Sequence, residues 1–317
     1  MKHDVRTTLI LVAVFLLAQV VGLCIVDQYV SEKIVDPETG KVINVTYSGL
    51  PIGLDRPEVE ESYSFIYILV AVIIATILIL IMIRFKTMKL WKLWFLLAVI
   101  VCLTVAFTGF VHQYVAIGLA IILALIKIFK PNFFIHNLTE IFIYGGLAAI
   151  FVPIMDVFAA VALLILISLY DMYAVWKSKH MVKMAKFQTE SKLFAGLSIP
   201  YSLKELFKFR STGKTKKVNV DEKKTSSKKE SKKASKVIKE KGIRTAILGG
   251  GDIGFPLIFA GVVMKAYLFW QVLLIPLACA VALFLLLYYA QKEKFYPAMP
   301  FISAGCLVGY GLVLLLF

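Results

Sequence analysis

The sequence predicts an all-α polytopic membrane protein with nine transmembrane helices, on three observations. Hydrophobic residues make up 60% of the 317 positions and the mean hydropathy is +0.84, whereas soluble domains hold roughly 45–50% apolar residues. Those residues fall in runs long enough to cross a bilayer, at about 20 residues per crossing. The basic charge is confined: between Lys177 and Arg244 stand 21 Lys/Arg and six acids, a surplus equal to the whole net charge of +15. A basic excess in one loop between spans marks a cytoplasmic loop. No aromatic-interleaved basic fold accompanies it, which argues against nucleic acid as the partner.

Taken in order, the apolar runs lie at 8–26, 64–83, 93–111, 114–130, 136–154, 156–176, 244–264, 267–290 and 297–317. The first, from Leu9 to Val26, exceeds the roughly 7–15-residue core of a signal peptide and lacks a small-residue cleavage site, so it reads as a retained span. The loop from Asp27 to Ser62 is acidic and turn-rich, with a short hairpin expected around Lys41–Tyr47. Its Asn44-Val45-Thr46 triplet fits a glycosylation sequon, a pattern too common to weigh. The fourth span ends in Lys127 and Lys130, which can snorkel to the interface. Pro153 and Asp156 mark a tight turn between the fifth and sixth. Counting loops places 31 of 35 Lys/Arg on one side, which puts the N-terminus in the cytoplasm and the C-terminus outside.

The chain thus divides into an N-terminal membrane part (1–176), a basic cytoplasmic loop (177–243) and a C-terminal membrane part (244–317). Within the loop, Lys183 to Phe209 mixes apolar and basic residues and suits a membrane surface. Ser211 to Lys241 is Lys/Ser-rich and expected to be disordered. Cys24, Cys102, Cys279 and Cys306 form no CxxC pair and support neither a disulfide framework nor zinc. No metal or cofactor is expected.

The chemistry is in two acids. Ala246 to Pro256 carries Gly249-Gly250-Gly251-Asp252 inside an apolar run. An ionised carboxylate at the bilayer centre costs roughly 2.5–3.5 kcal/mol on insertion scales, and each glycine in a helix costs about 1 kcal/mol. Only Asp171, in the sixth span, sits comparably deep. It precedes Lys177 by roughly 9 Å, while Asp252 follows Arg244 by roughly 12 Å, at 1.5 Å per residue. Antiparallel neighbours would hold both carboxyls at one depth. Asp156 lies about 22 Å further up its helix. Asp27 and Glu140 sit near span ends, where a solvated interface is the expected reading. Two carboxyls in one site do not both ionise readily. One can then take a proton from water while the other donates to a scissile carbonyl. On the pair alone, buried acids bonded to a Tyr or Lys, or the proton-relay acids of a transporter, together fit better than a protease. The glycines let another backbone approach, although small-residue helix packing also uses them. Pro297-Ala298-Met299-Pro300 could form a rigid lip at the same depth or an ordinary helix start.

Tyr170-Asp171, Gly249-Gly250-Gly251-Asp252 and Pro297-Ala298-Met299, in that order and spacing over nine spans, resemble the Tyr-Asp, Gly-x-Gly-Asp and Pro-Ala-Leu signatures of presenilin and signal peptide peptidase. These are the GxGD intramembrane aspartyl proteases. Met299 stands where the family has Leu. Asp252-Ile253-Gly254-Phe255-Pro256 looks like the signal peptide peptidase branch, whereas the charge pattern gives the presenilin orientation, a mixture suited to an archaeal presenilin-like homologue. The resemblance implies an aspartic endopeptidase with catalytic Asp171 and Asp252. Tyr170, Gly249, Gly250, Gly251, Pro297, Ala298 and Met299 would shape the substrate site. Its partners would be transmembrane helices of other proteins within the lipid bilayer of an integral, multi-pass location, the cell membrane in a prokaryote. Homo-oligomerisation stays open, and no obligatory partner subunit is evident.

Other classes fit less well. The chain has no His-Glu-x-x-His, and His3, His112, His136 and His180 are scattered. It has no Gly-x-Ser-x-Gly either. The alternative reading is a secondary transporter or cation leak using Asp171 and Asp252, but no interrupted segments recur in two halves of the chain.

Overall fold

The computed structural model describes residues 5–35, 42–85, 87–130, 132–178, 193–200, 245–290 and 296–317. The segment Ser211–Lys241, expected to be disordered, lies outside the described residues, as do most of Lys183–Phe209 and the tip of the first hairpin. Among the described residues, nine apolar α-helices fall in the nine predicted places. They are α1 (Val5–Gln28), α2 (Ser64–Phe85), α3 (Met88–Thr108), α4 (Gln113–Phe129), α5 (Phe133–Phe151), α6 (Val157–Tyr173), α7 (Gly251–Val263), α8 (Phe269–Tyr289) and α9 (Met299–Leu316). Seven are long and apolar enough to cross a membrane; α4 and α7 are shorter apolar helices.

The apolar faces that a soluble protein would hide are here largely outward. In α2, for instance, only Ser64, Ile68 and Met82 are buried. The opposite extreme is α7, buried from Ile253 to Val263 except at Phe255. It touches α1, α5, α6, α8 and α9. Phe259 and Leu257 are fully enclosed in the main core with Phe15, Leu23 and Ile275. Polar atoms orient it too: Gln19 Nε2 on α1 donates to the carbonyl of Ile253 at 2.9 Å. The remaining bundle is α3 and α4 packed on α5, and α8 packed along α9.

Two small antiparallel sheets flank α7. A hairpin is present, but the stretch expected to form it supplies only one arm: β1 (Val30–Val35) pairs with β2 (Val42–Tyr47). It closes the C-terminal end of α7, where Lys33 Nζ donates to the carbonyls of Met264 and Tyr267 at 3.3 and 3.1 Å. The second sheet departs from expectation. The span predicted at 244–264 begins as a strand, β4 (Thr245–Gly249), paired with β3 (Gly196–Pro200) from the basic loop. At 13 residues, α7 measures about 20 Å, well short of the ~30 Å hydrocarbon thickness. Non-helical backbone at such a place needs partners other than lipid, and β3 supplies them.

Candidate active site

Asp171 is set by two helix termini. Asp156 is the N-cap of α6: its Oδ1 accepts the Ala159 N–H at 2.7 Å and its Oδ2 the Ser62 hydroxyl at 2.6 Å. It therefore starts the helix and takes no part in the site. Asp171, near the other end of α6, is buried. Its Oδ2 accepts the backbone N–H of Met299 at 3.2 Å, and the Ala298 backbone hydrogen-bonds it as well. The first N–H groups of a helix lack partners within it and favour negative charge. Pro297 and Pro300 withhold donors on either side, so α9 opens with a short, directed pair of N–H groups facing the carboxylate.

Asp252 stands in the first turn of α7, directly after β4. The Gly249 backbone hydrogen-bonds its carboxylate. The three glycines turn out to be unequal. A Cβ on Gly250 would lie 2.5 Å from the Tyr144 hydroxyl oxygen, and one on Gly249 3.2 Å from Asp252 Oδ2. On Gly251 the nearest atom would be 3.5 Å away, an ordinary contact. The close approach is thus at the middle glycine, where the Tyr144 side chain lies against the chain. The Gly250 N–H is taken by the carbonyl of Ala195 at 3.2 Å. Four residues after Asp252, Pro256 carries no N–H for the Asp252 carbonyl, which loosens the start of the helix.

The strand that meets β4 is held from α5. Asn137 exchanges hydrogen bonds with both backbone groups of Ser198, at 2.8 and 3.0 Å. His136 Nε2 lies 2.9 Å from the Gly196 carbonyl. The Gly196 N–H donates to Glu140 Oε2 at 3.0 Å. Gly196 itself has φ +143, and a Cβ there would meet the Leu248 carbonyl oxygen at 2.2 Å, so only glycine fits. Glu140 and Lys127 overturn their expected solvated or snorkelling roles. Their side chains are each 2% exposed and paired at 2.6 Å. Lys127 also donates to Thr139 Oγ1 at 2.9 Å, and the Tyr144 hydroxyl donates to Glu140 Oε2.

These elements enclose a cavity of about 470 Å³. Tyr170, Asp171, Gly249, Gly250, Gly251, Asp252 and Met299 line it, so seven of the nine predicted site residues share one space. Pro297 and Ala298 are not on its wall; the Ala298 backbone hydrogen-bonds Asp171 from one remove, and Pro297 precedes it without an N–H to give. The Tyr170 hydroxyl donates to Thr76 Oγ1 on α2 at 3.1 Å, tying the cavity to the most exposed helix. Val72, Leu147, Ile167, Phe194, Phe255 and Ile258 complete a largely apolar wall around the two carboxyls. Sequence reasoning missed Tyr144, Phe194 and Ala195. Their signal is weak: one tyrosine in an apolar helix, and a five-residue strand whose alternation (Leu197 and Ile199 buried) is too short to separate from loop.

Two solved structures share the fold over nearly their full length. Both are of a presenilin family intramembrane aspartate protease. One, in a P2 crystal form, aligns with TM-score 0.56 at 14% identity, covering 97% of this chain and 97% of that one. The other, in a C222 form, aligns with TM-score 0.60 at 14% identity, covering 98% and 99%. At such identity the likeness is one of fold. No curated protein matches the chain in sequence. The family model of signal-peptide peptidase and presenilin aspartyl protease matches residues 44–317. That range takes in the second to ninth helices and both aspartates, so the chain belongs to the signal-peptide peptidase and presenilin aspartyl protease family.

Proposed function

We infer that this intramembrane aspartyl protease hydrolyses peptide bonds in transmembrane segments of other proteins, with Asp171 and Asp252 as its catalytic pair. The observation that carries the assignment is that both carboxyls, 81 residues apart in sequence, line one cavity between α6 and α7. The pair shares a proton, since like charges in one confined site do not ionise together. The ionised member takes a proton from water, and the water oxygen attacks the peptide carbonyl carbon. The protonated member donates to the carbonyl oxygen. Collapse of the tetrahedral species breaks the C–N bond, with a proton returned to the leaving amine, giving a carboxyl and an amino terminus. Met299 and Ala298 N–H groups fix Asp171, and the Gly249 backbone fixes Asp252. The apolar wall receives side chains from a membrane-spanning substrate, and Tyr170, Gly251 and Met299 contact it.

The test is cleavage of a transmembrane peptide by purified protein in detergent, which needs no sealed membrane, whereas transport does. Asp171→Ala and Asp252→Ala are each expected to abolish cleavage with folding unchanged. Near-normal turnover in either would exclude the two-aspartate mechanism.

A further inference from the structure

We propose that Glu140 is a positioning residue for the reaction, acting through Tyr144 and β3 on the turn that carries Asp252. The proposal rests on Asp252 being catalytic. Three donors converge on one buried carboxylate: Lys127 Nζ reaches Oε1 at 2.6 Å, while the Tyr144 hydroxyl and the Gly196 N–H reach Oε2. From there two routes lead to the same residue. The Tyr144 hydroxyl oxygen lies 2.5 Å from where a Cβ of Gly250 would be. Gly196 begins the strand whose preceding residue, Ala195, accepts the Gly250 N–H. Gly250 is two residues from Asp252 and joins the end of β4 to the start of α7.

Glu140 does not line the cavity, whereas Tyr144 does. A buried ion pair is a poor source of stability, because the desolvation of both ions offsets their attraction. What it does provide is directional: a carboxylate that cannot turn without stranding a donor. Glu140 is thus the fixed point from which α5 sets the depth and tilt of the Gly250 turn, and with it the Asp252 carboxyl. An error of ~1 Å there is worth about a hundredfold in rate.

An amide at position 140 offers one acceptor where two are needed. In Glu140→Gln the oxygen stays with Lys127, and the NH₂ group faces the Gly196 N–H, donor against donor. Removing both charges resolves that conflict. In Lys127→Met/Glu140→Gln the oxygen is released to accept from Gly196 and Tyr144, and the NH₂ group turns towards Thr139 Oγ1, which Lys127 no longer occupies. Tyr144→Phe removes only the hydroxyl.

The experiment measures kcat, KM and melting temperature for these three variants and Asp252→Asn, using the purified full chain and a transmembrane peptide in detergent. The expected result is a kcat lowered about a hundredfold in Glu140→Gln and about tenfold in Tyr144→Phe. KM is expected within about threefold of wild type in both, and the double variant recovers to within about threefold of wild-type kcat. Wild-type kcat in both single variants beside a dead Asp252→Asn overturns the proposal. So does a double variant that is fully folded yet as slow as Glu140→Gln, since the hydrogen bonds would then not be the cause. If Glu140→Gln does not fold, Tyr144→Phe at wild-type kcat overturns it alone. Activity in Asp252→Asn, by contrast, strikes the two-aspartate reading and leaves the geometry of Glu140 untouched.

Discussion

The N-terminal end of α7 has no side-chain cap: Gly250 precedes it, a glycine run leads in, and Pro256 interrupts its second turn. Its C-terminal end is closed by two lysines. Lys33 reaches over from β1, and Lys265 donates to the carbonyls of Met155 and Pro153 and to Glu61. Cations at a helix C-terminus complement its dipole, so that end is built as stable helices usually are. The other end gives up helix propensity, about 1 kcal/mol per glycine, and has its backbone held from outside by β3 and Tyr144. The local rules of helix stability are broken at the end where, in the proposed mechanism, the Asp252 carboxyl meets a substrate backbone, and kept at the other. Such violations are expected to gather at functional sites.

After the aspartates themselves, single substitutions of the glycines test this difference between the two ends of α7 most severely. Gly250→Ala is expected to lower kcat about a hundredfold, because a methyl group there meets Tyr144 at 2.5 Å and one of the two must move. Gly251→Ala has room in the free protein, and cleavage is expected within about threefold of wild type. Parallel cleavage assays decide the matter. Should Gly251→Ala be as damaging as Gly250→Ala, the constraint comes from the bound substrate and not from the protein's own packing.

The first turn of α9 gives a second, smaller contrast. Met299→Leu changes a cavity-lining side chain while leaving its N–H on Asp171, and volume-conserving swaps typically cost under ~1.5 kcal/mol. Pro297→Ala adds a donor and lets the helix begin earlier, which rotates the N–H groups that Asp171 accepts. We expect near-normal turnover for Met299→Leu and a loss of about tenfold or more for Pro297→Ala, with both proteins folded. Equal activity in the two would reduce the triplet to a helix start.

What was legible in the sequence follows the same divide. Asp171 and Asp252 announce themselves because a carboxylate in an apolar run is chemically expensive; the helix rise used to match their depths does not hold across Thr245–Gly249, which is strand, although both carboxyls do line one cavity. The nine helices follow from length and hydropathy. The β3–β4 pairing could not be read this way. Thr245–Gly249 is five residues long inside a continuous apolar run, where periodicity does not separate strand from buried helix. Its partner lies across the long basic loop. Glu140 failed for a related reason. Near the end of a span, an acid reads as solvated unless its counter-charge is known, and Lys127 is 13 residues away across a turn. Burial there is a property of α4, α5 and β3 together, invisible in any one of them.

The smallest expected effect tests the stable end of α7. Lys265 sits two residues beyond the helix, with its ammonium 3.0 Å from the Met155 carbonyl, 3.4 Å from that of Pro153 and 2.7 Å from Glu61. The Glu61 carboxylate is half exposed, so that pair contributes only a few tenths of a kcal/mol, as solvated ion pairs do. The two carbonyls are the larger part, since they belong to the turn between α5 and α6 and tie it to the end of α7. Lys265→Met keeps the aliphatic stem and removes the charge. Its expected cost is about 1 kcal/mol, read as a fall of roughly 2–4 °C in the melting midpoint. Turnover should stay at the wild-type value, because the residue lies beyond the end of α7 remote from Asp252. A variant with unchanged melting but slowed cleavage would mean that the two ends of α7 are coupled along the helix, and the division between a stable end and a reactive end would have to be given up.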